Sequence, residues 1–457
     1  MWVATLAVAI ACGTPSPAIR VVGETAIRDP APEPSPWFDG RTVSLAGARG
    51  ETLGIQVLHG AGTAILAIPD ANVLAFAART VRVRHASTAL YGTGGRGAGD
   101  YADELVPDEG TDYFQIAIPR AAEPGVHYGV LFAGGLYAVE LRIARVTLPP
   151  PPIGVWAEYD PRVLGSSLAL PTERDRACVE MFRDRGVLLS PAIPLEAWPA
   201  RQGMLDDAPF VPVQLRDPAE VPAWIAVTRG SGKLPFAIPI DEPHGDAARA
   251  KVRALAERVR AAGGGPGRFL FAVTDEPRSD YGDLIDRYVT LKPRRGDWTY
   301  NGAPPSAGSM VVDAAPPGPR TWGWIAWRYG IPYWYVWQAL YWADRYNHRE
   351  LPPRPLDAHA DARSFDDGED HGNLDGVLAL PGCHPTLRLE ELRRGLEDRA
   401  LLELASRCAP SATEKLAAAL VPRALGDGSG APAWPADEAV WETARRKLLD
   451  LASCALP

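Results

Sequence analysis

The sequence predicts a β-sandwich followed by a (β/α)8-like TIM barrel with a helical carboxy-terminal end. Three observations predict it. Residues from about 18 to 148 read as short strands broken by Gly, Pro and Asp turns. Four consecutive prolines, Pro149 to Pro152, then mark a change of composition and stiffen the chain. Beyond them, apolar strands alternate with amphipathic helices, the pattern of repeated βα units. The 457 residues, 46% hydrophobic and 23% charged, provide enough material for two cores. The boundaries are therefore set at 1–17 for an export signal and tether, 18–150 for the sandwich and 151–457 for the barrel.

The chain opens with MWVATLAVAIACG, whose apolar run from Trp2 to Ala11 is too short for a bilayer, which takes about 20 residues. It reads as an export signal. The stretch AIAC resembles a bacterial lipoprotein box, which implies a lipidated Cys12 tethering an extracytoplasmic protein to a membrane; otherwise the protein is secreted or periplasmic. Sandwich strands follow in TVSLAG, TLGIQVLHG, TVRVRHA, YFQIAIP and YAVELRIARVTL. In the last, Tyr137, Val139, Leu141 and Ile143 alternate with Ala138, Glu140 and Arg142, as a strand with one buried face requires.

Past the prolines the order is GVWAEY, a helix near Glu173 to Arg185, GVLLSPAIP, PFVPVQL, a helix near Ala219 to Thr228, PFAIPIDEP, a helix from about Asp246 to Ala262, and FLFAVTDEP. The Asp246 helix carries Val252, Leu255 and Val259 at spacings of three and four and stops at Gly263. The stretch Gly263 to Gly267 follows a helix and precedes a strand, the reverse of what phosphate cradling needs, so it is a turn. A last helix, about Thr386 to Arg407, sets Leu389, Leu392 and Leu396 on one face and a dense acidic and basic set on the other. Besides Cys12 there are Cys178, Cys383, Cys408 and Cys454, with no CxxC pair and no His at zinc-finger spacing, which excludes a structural zinc site. Cys408 and Cys454 either pair in an oxidising compartment or remain buried thiols.

A net charge of -9 excludes a nucleic-acid partner, because phosphate neutralisation needs clustered Lys and Arg. The chemistry lies in LPFAIPIDEPHG, where an apolar strand, Phe236 to Ile240, runs into Asp241 and Glu242. Catalytic groups of barrel enzymes project from the carboxyl ends of strands, and neighbouring acids there repel, which makes a proton donor near neutral pH. The competing reading is a helix cap and first-turn charge. A second pair, Asp275 and Glu276, ends the next strand, and Glu276 could be the partner carboxylate of an acid and nucleophile pair. Aromatics gather late, with Trp298 and Tyr300 in DWTYNG, then RTWGWIAWRYG, then YWYVWQALYW with Trp337 and Trp342. Sugar rings stack on indole, so these four are substrate-binding candidates, while most other aromatics are core. The acidic loop from Asp357 to Asp375, with Asp366, Asp367, Glu369 and Asp370 close together, reads as solvated, with a calcium site as the alternative, and no Ser-His-Asp or HExxH arrangement supports a serine hydrolase or metalloprotease.

Several segments together resemble glycoside hydrolase family 123 and the wider, mostly uncharacterised family sharing its catalytic domain. YADELVPD from Tyr101, PGVHYGVL from Pro124 and VTLP at Val146 resemble its amino-terminal pattern. PIDEP, WTY at Trp298, the stretch from Asp313 through Arg320 to Trp327, ALYW at Ala339 and PTLRLEELRRGLEDRALL from Pro385 follow in the family's order. Arg399 and Leu380 stand where the family has Tyr, and the DEP at Asp275 is not part of its pattern, which favours the Asp241 pair. The resemblance implies retaining, substrate-assisted hydrolysis of β-linked N-acetylhexosamine, especially N-acetylgalactosamine. Glu242 would be the acid and base, Asp241 would orient the 2-acetamido group, and Arg320 would join the substrate-binding set. No metal or organic cofactor is implied, and the partner is a glycan or glycoconjugate. Two other readings stand beside it: a surface carbohydrate-binding protein without turnover, and a retaining glycosidase using Glu242 with Glu276.

Overall fold

In the computed structural model, the amino-terminal region forms two sheets because its strands alternate buried and exposed residues, leaving each sheet one apolar face to cover. The structure describes residues 19–24, 35–60, 62–89, 96–107, 110–149, 154–205, 207–344, 354–366 and 370–454. The expected export segment with Cys12, and Pro150 to Pro152, lie outside them. Nine strands, β1 (Arg20–Val22), β2 (Thr42–Arg49), β3 (Thr52–Leu58), β4 (Ile65–Ala67), β5 (Asn72–Val83), β6 (Gly99–Pro107), β7 (Tyr113–Ala117), β8 (Gly125–Phe132) and β9 (Leu136–Thr147), make a five-stranded sheet ordered β1-β3-β7-β5-β6 and a four-stranded sheet ordered β2-β9-β8-β4. Val43, Leu45, Ile55, Phe114, Val139 and Leu141 fill the core between them.

Eight short strands follow, and all their pairings are parallel: β10 (Val155–Ala157), β11 (Val187–Leu189), β12 (Phe210–Pro212), β13 (Leu234–Ala237), β14 (Leu270–Val273), β15 (Arg287–Tyr288), β16 (Thr299–Tyr300) and β17 (Trp334–Val336). The helices between them are α1 (Glu173–Arg183), the single turn α2 (Trp198–Arg201), α3 (Val221–Thr228), α4 (Gly245–Ala261) and α5 (Thr321–Tyr329). The expected (β/α)8 TIM barrel is not what the chain builds. The strands divide into two four-stranded sheets, β11-β10-β17-β16 and β12-β13-β14-β15, connected by the single bridges Ile193 to Val213 and Val289 to Trp298. No α-helix links β14 to β15 or β15 to β16. Pro277, Gly282, Pro293 and Gly296 fall in those connections and break helix there, so the regular alternation fails after β14.

Three helices close the chain: α6 (Leu387–Cys408), α7 (Pro410–Leu420) and α8 (Glu438–Leu451). Thr386 caps α6 by accepting the Leu389 N–H at 3.2 Å. Every residue of α6 from Leu387 to Asp398 is buried, its charged residues included. Those charges meet partners from distant parts of the chain. Arg388 pairs with Asp103 of β6 at 2.8 Å, Arg393 with Glu24, Arg394 with Glu51, and Asp398 with Arg320 at 3.0 Å and Arg445 at 3.1 Å. Buried charge is tolerable only when paired in this way. Where α5 crosses α6, Gly323 faces Gly395, and a methyl group on Gly323 would run into the Gly395 carbonyl. Two disulfides are formed: Cys408 with Cys454, and Cys178 of α1 with Cys383 just ahead of α6, the latter closing 205 positions.

Candidate functional site

The carboxyl ends of β10, β13, β14, β16 and β17 converge, and ligands of parallel sheets bind outside such ends. Pairing along β13 stops at Ala237, and Ile238, Pro239 and Ile240 carry the chain outward to Asp241 and Glu242, both exposed. One residue holds both. The Thr274 hydroxyl, just past β14, donates to Asp241 Oδ1 at 2.6 Å and accepts the Glu242 N–H at 2.6 Å. Glu242 sits in left-handed backbone, φ 37°, a conformation unfavourable for a residue with a Cβ and found disproportionately at functional sites. Tyr300, at the end of β16, donates its hydroxyl to Glu242 Oε1 at 3.3 Å. Burial and the nearby Glu242 charge push the Tyr300 phenol well above its ordinary range, so it remains a donor.

Glu242, His244, Arg249, Thr274, Glu276 and Tyr300 line a cleft of about 250 Å³ that opens toward the β14 and β15 ends. Glu276 pairs with Lys292 at 3.0 Å on its rim. Asp275 lines the same cleft, accepting from Tyr281 at 2.9 Å and lying 3.6 Å from Arg249, which anchors the loop. On the other side of Asp241 stands Glu158, the first residue past β10, which sequence reasoning passed over. Its Oε2 accepts the Tyr335 hydroxyl at 2.5 Å. Burial first, then the negative charge of Asp241, lift its carboxyl above the usual range against the Tyr335 hydrogen bond.

No protein-family model matches the chain, and no curated protein matches it by sequence. A solved structure does. A family 123 glycoside hydrolase from Clostridium perfringens, described with the details of glycolipid glycan hydrolysis, aligns at TM-score 0.53 and 11% identity, covering 90% of this chain and 93% of that one. The chain has a family 123 glycoside hydrolase fold. A family 2 glycosyl hydrolase from Bacteroides cellulosilyticus overlaps at TM-score 0.24 and 9% identity, over 64% of this chain and 42% of that one, and carries no weight. The resemblance read from the ordered segments thus holds at the level of fold.

Within this fold the candidate residues separate. Tyr300 is beside Glu242, and Trp337, half-buried, follows β17 with its backbone N–H donating to Asn301 Oδ1 at 3.0 Å. Trp298 is fully buried and packs edge-on against Phe236 and Phe210, below the site. Arg320 is 1% exposed and committed to Asp398 and Glu438. Trp342 is buried with its indole N–H on the Ala379 carbonyl at 2.8 Å. The residues that sequence reasoning missed are Glu158, Thr274, Asn301 and Tyr335. Glu158, Thr274 and Asn301 each directly follow a parallel strand, which is the signal that could have found them, whereas Tyr335 is the middle residue of β17.

Proposed function

We propose that this chain is a glycoside hydrolase that cleaves β-linked N-acetylhexosamine, N-acetylgalactosamine foremost, by a retaining, substrate-assisted route. The observation that carries the reading is the exposed Asp241 and Glu242 pair at the strand ends, held by one threonine on a fold shared with a family 123 enzyme. Glu242, reaching the cleft, protonates the glycosidic oxygen as the bond to the anomeric carbon breaks. The 2-acetamido carbonyl oxygen forms the new bond to that carbon, and Asp241 accepts from the acetamido N–H and stabilises the positive charge that develops. Water then opens the cyclic intermediate, giving its proton to Glu242, and the configuration is retained.

The test is release of nitrophenol from the β-N-acetylgalactosaminide and β-N-acetylglucosaminide by purified protein. Glu242→Gln is expected to lower kcat/KM by about 10²- to 10⁴-fold. Activity that survives in Glu242→Gln would refute the assignment. A second reading is favoured by one observation: Glu276 lines the same cleft as Glu242, as the nucleophile of a direct double displacement would. That reading requires hydrolysis of glycosides lacking the acetamido group and loss of turnover in Glu276→Gln. The substrate-assisted route requires neither.

A further inference from the structure

Glu158 satisfies half of its carboxyl within the protein. Two residues before it, Trp156 stacks on Tyr335 at 4.4 Å and meets Phe236 of β13 edge-on at 5.1 Å. That face of β10 therefore looks across the interior at β13. Strand residues two apart share a face, so Glu158 continues the direction of Trp156 into the space beside Asp241, whose charge acts on it. Tyr335 is the one hydrogen-bond partner of its carboxyl among the described residues, and it takes Oε2. Oε1 is left over. Glu158 is half-buried, so its unused oxygen faces the mouth of a polar site and can accept from a ligand there, and a sugar brings hydroxyls suited to the task.

We propose that Glu158 is a specificity-determining residue: Oε1 grips a ring hydroxyl of the sugar whose glycosidic oxygen Glu242 protonates, while Tyr335 fixes the orientation of the carboxyl. The proposal rests on the hydrolase reading above and adds the residue that selects among sugars. A site built to hydrogen-bond one hydroxyl rejects the analogue lacking it, because the buried acceptor is then left unpaired. A role confined to holding Tyr335 would show no such selectivity.

The experiment is a calorimetric titration of the Glu242→Gln protein with N-acetylgalactosamine and its 3-, 4- and 6-deoxy analogues. One deoxy sugar is expected to bind about tenfold or more weakly than N-acetylgalactosamine. With Glu158→Ala added, N-acetylgalactosamine should fall by a similar factor, and that deoxy sugar should no longer differ from it. Glu158→Gln, which keeps an acceptor for Tyr335, should reduce the same discrimination without eliminating it, and it carries the test if the alanine variant does not fold. Equal weakening of all four sugars, or no change, overturns the role of Glu158 and leaves the hydrolase reading intact. Failure of the Glu242→Gln protein to bind any of them, with wild type inactive on the aryl N-acetylhexosaminides, overturns both.

Discussion

At Glu242 the backbone and the side chain pull in different directions. Left-handed φ costs a residue with a Cβ roughly 1 to 2 kcal/mol, and the Thr274 hydroxyl on its N–H helps to hold it there. Glu242→Ala keeps that strain and Glu242→Gly removes it. The glycine variant should therefore be more stable than the alanine variant by about 1 kcal/mol in urea unfolding, with both inactive; equal stabilities would refute a strained Glu242. Thr274→Val leaves that N–H unpaired and frees Asp241, so kcat should drop about tenfold or more. A Thr274→Val protein as fast as wild type would show that the threonine does not position the pair. The carboxylates were legible in sequence because two acids directly follow an apolar run. Glu158 was not, because its meaning depends on Tyr335, 177 positions away. Trp298 and Tyr300 illustrate the same limit. They lie two apart, yet one is core and the other faces Glu242, since a two-residue strand does not announce where it ends.

Sequence periodicity located four helices well and gave none for α2, α5, α7 or α8, the helix near Thr386 to Arg407 having read as the last. α1, α3, α4 and α6 begin and end within two residues of the expected positions, because capping threonines, prolines and glycines act locally. The sheet connectivity was less legible. Repeated βα patterning does not show where a strand shrinks to two residues or where a crossover loses its helix, and both happen between β14 and β16. Helix α6 holds another lesson. Its dense acidic and basic set is buried in the structure, where Arg393 pairs with Glu390 and Glu397 of the same helix and Arg388, Arg393 and Arg394 also meet Asp103, Glu24 and Glu51 from far back in the chain. The crossing of α5 with α6 depends on Gly323 and Gly395 having no side chains. Gly323→Ala should destabilise the protein by about 1 to 3 kcal/mol or more, read as a lowered Tm. An unchanged Tm would mean that the two helices slide apart without cost.

For the whole molecule, the buried carboxyls set opposite limits on pH stability. Burial raises Asp375 from 3.8 to about 7, against the charge of Arg388 and the Gly376 N–H. Its folded pKa exceeds its unfolded one, so the unfolded chain releases this proton first, and stability falls as pH rises from about 4 through 7. Glu390 and Glu442 work the other way. Burial raises them, but Arg185 and Arg393 outweigh it at Glu390, as Arg394 and Arg445 do at Glu442, and both end below 4.5. Their contribution is present above that value and is lost as pH falls through the folded pKa. Tm is expected to peak near pH 5, with Asp375→Asn flattening the decline toward neutrality. A wild-type Tm that is level from pH 5 to 7.5 would contradict the buried Asp375. The ion pairs of α6 also bear on how the chain is made. Asp103 must wait for Arg388, 285 positions later, and Glu24 for Arg393, 369 positions later. At ordinary rates of translation that wait is roughly a quarter of a minute to a minute or more. Through it the first nine strands carry carboxylates with no partner yet synthesised, so the front of the molecule is completed almost last.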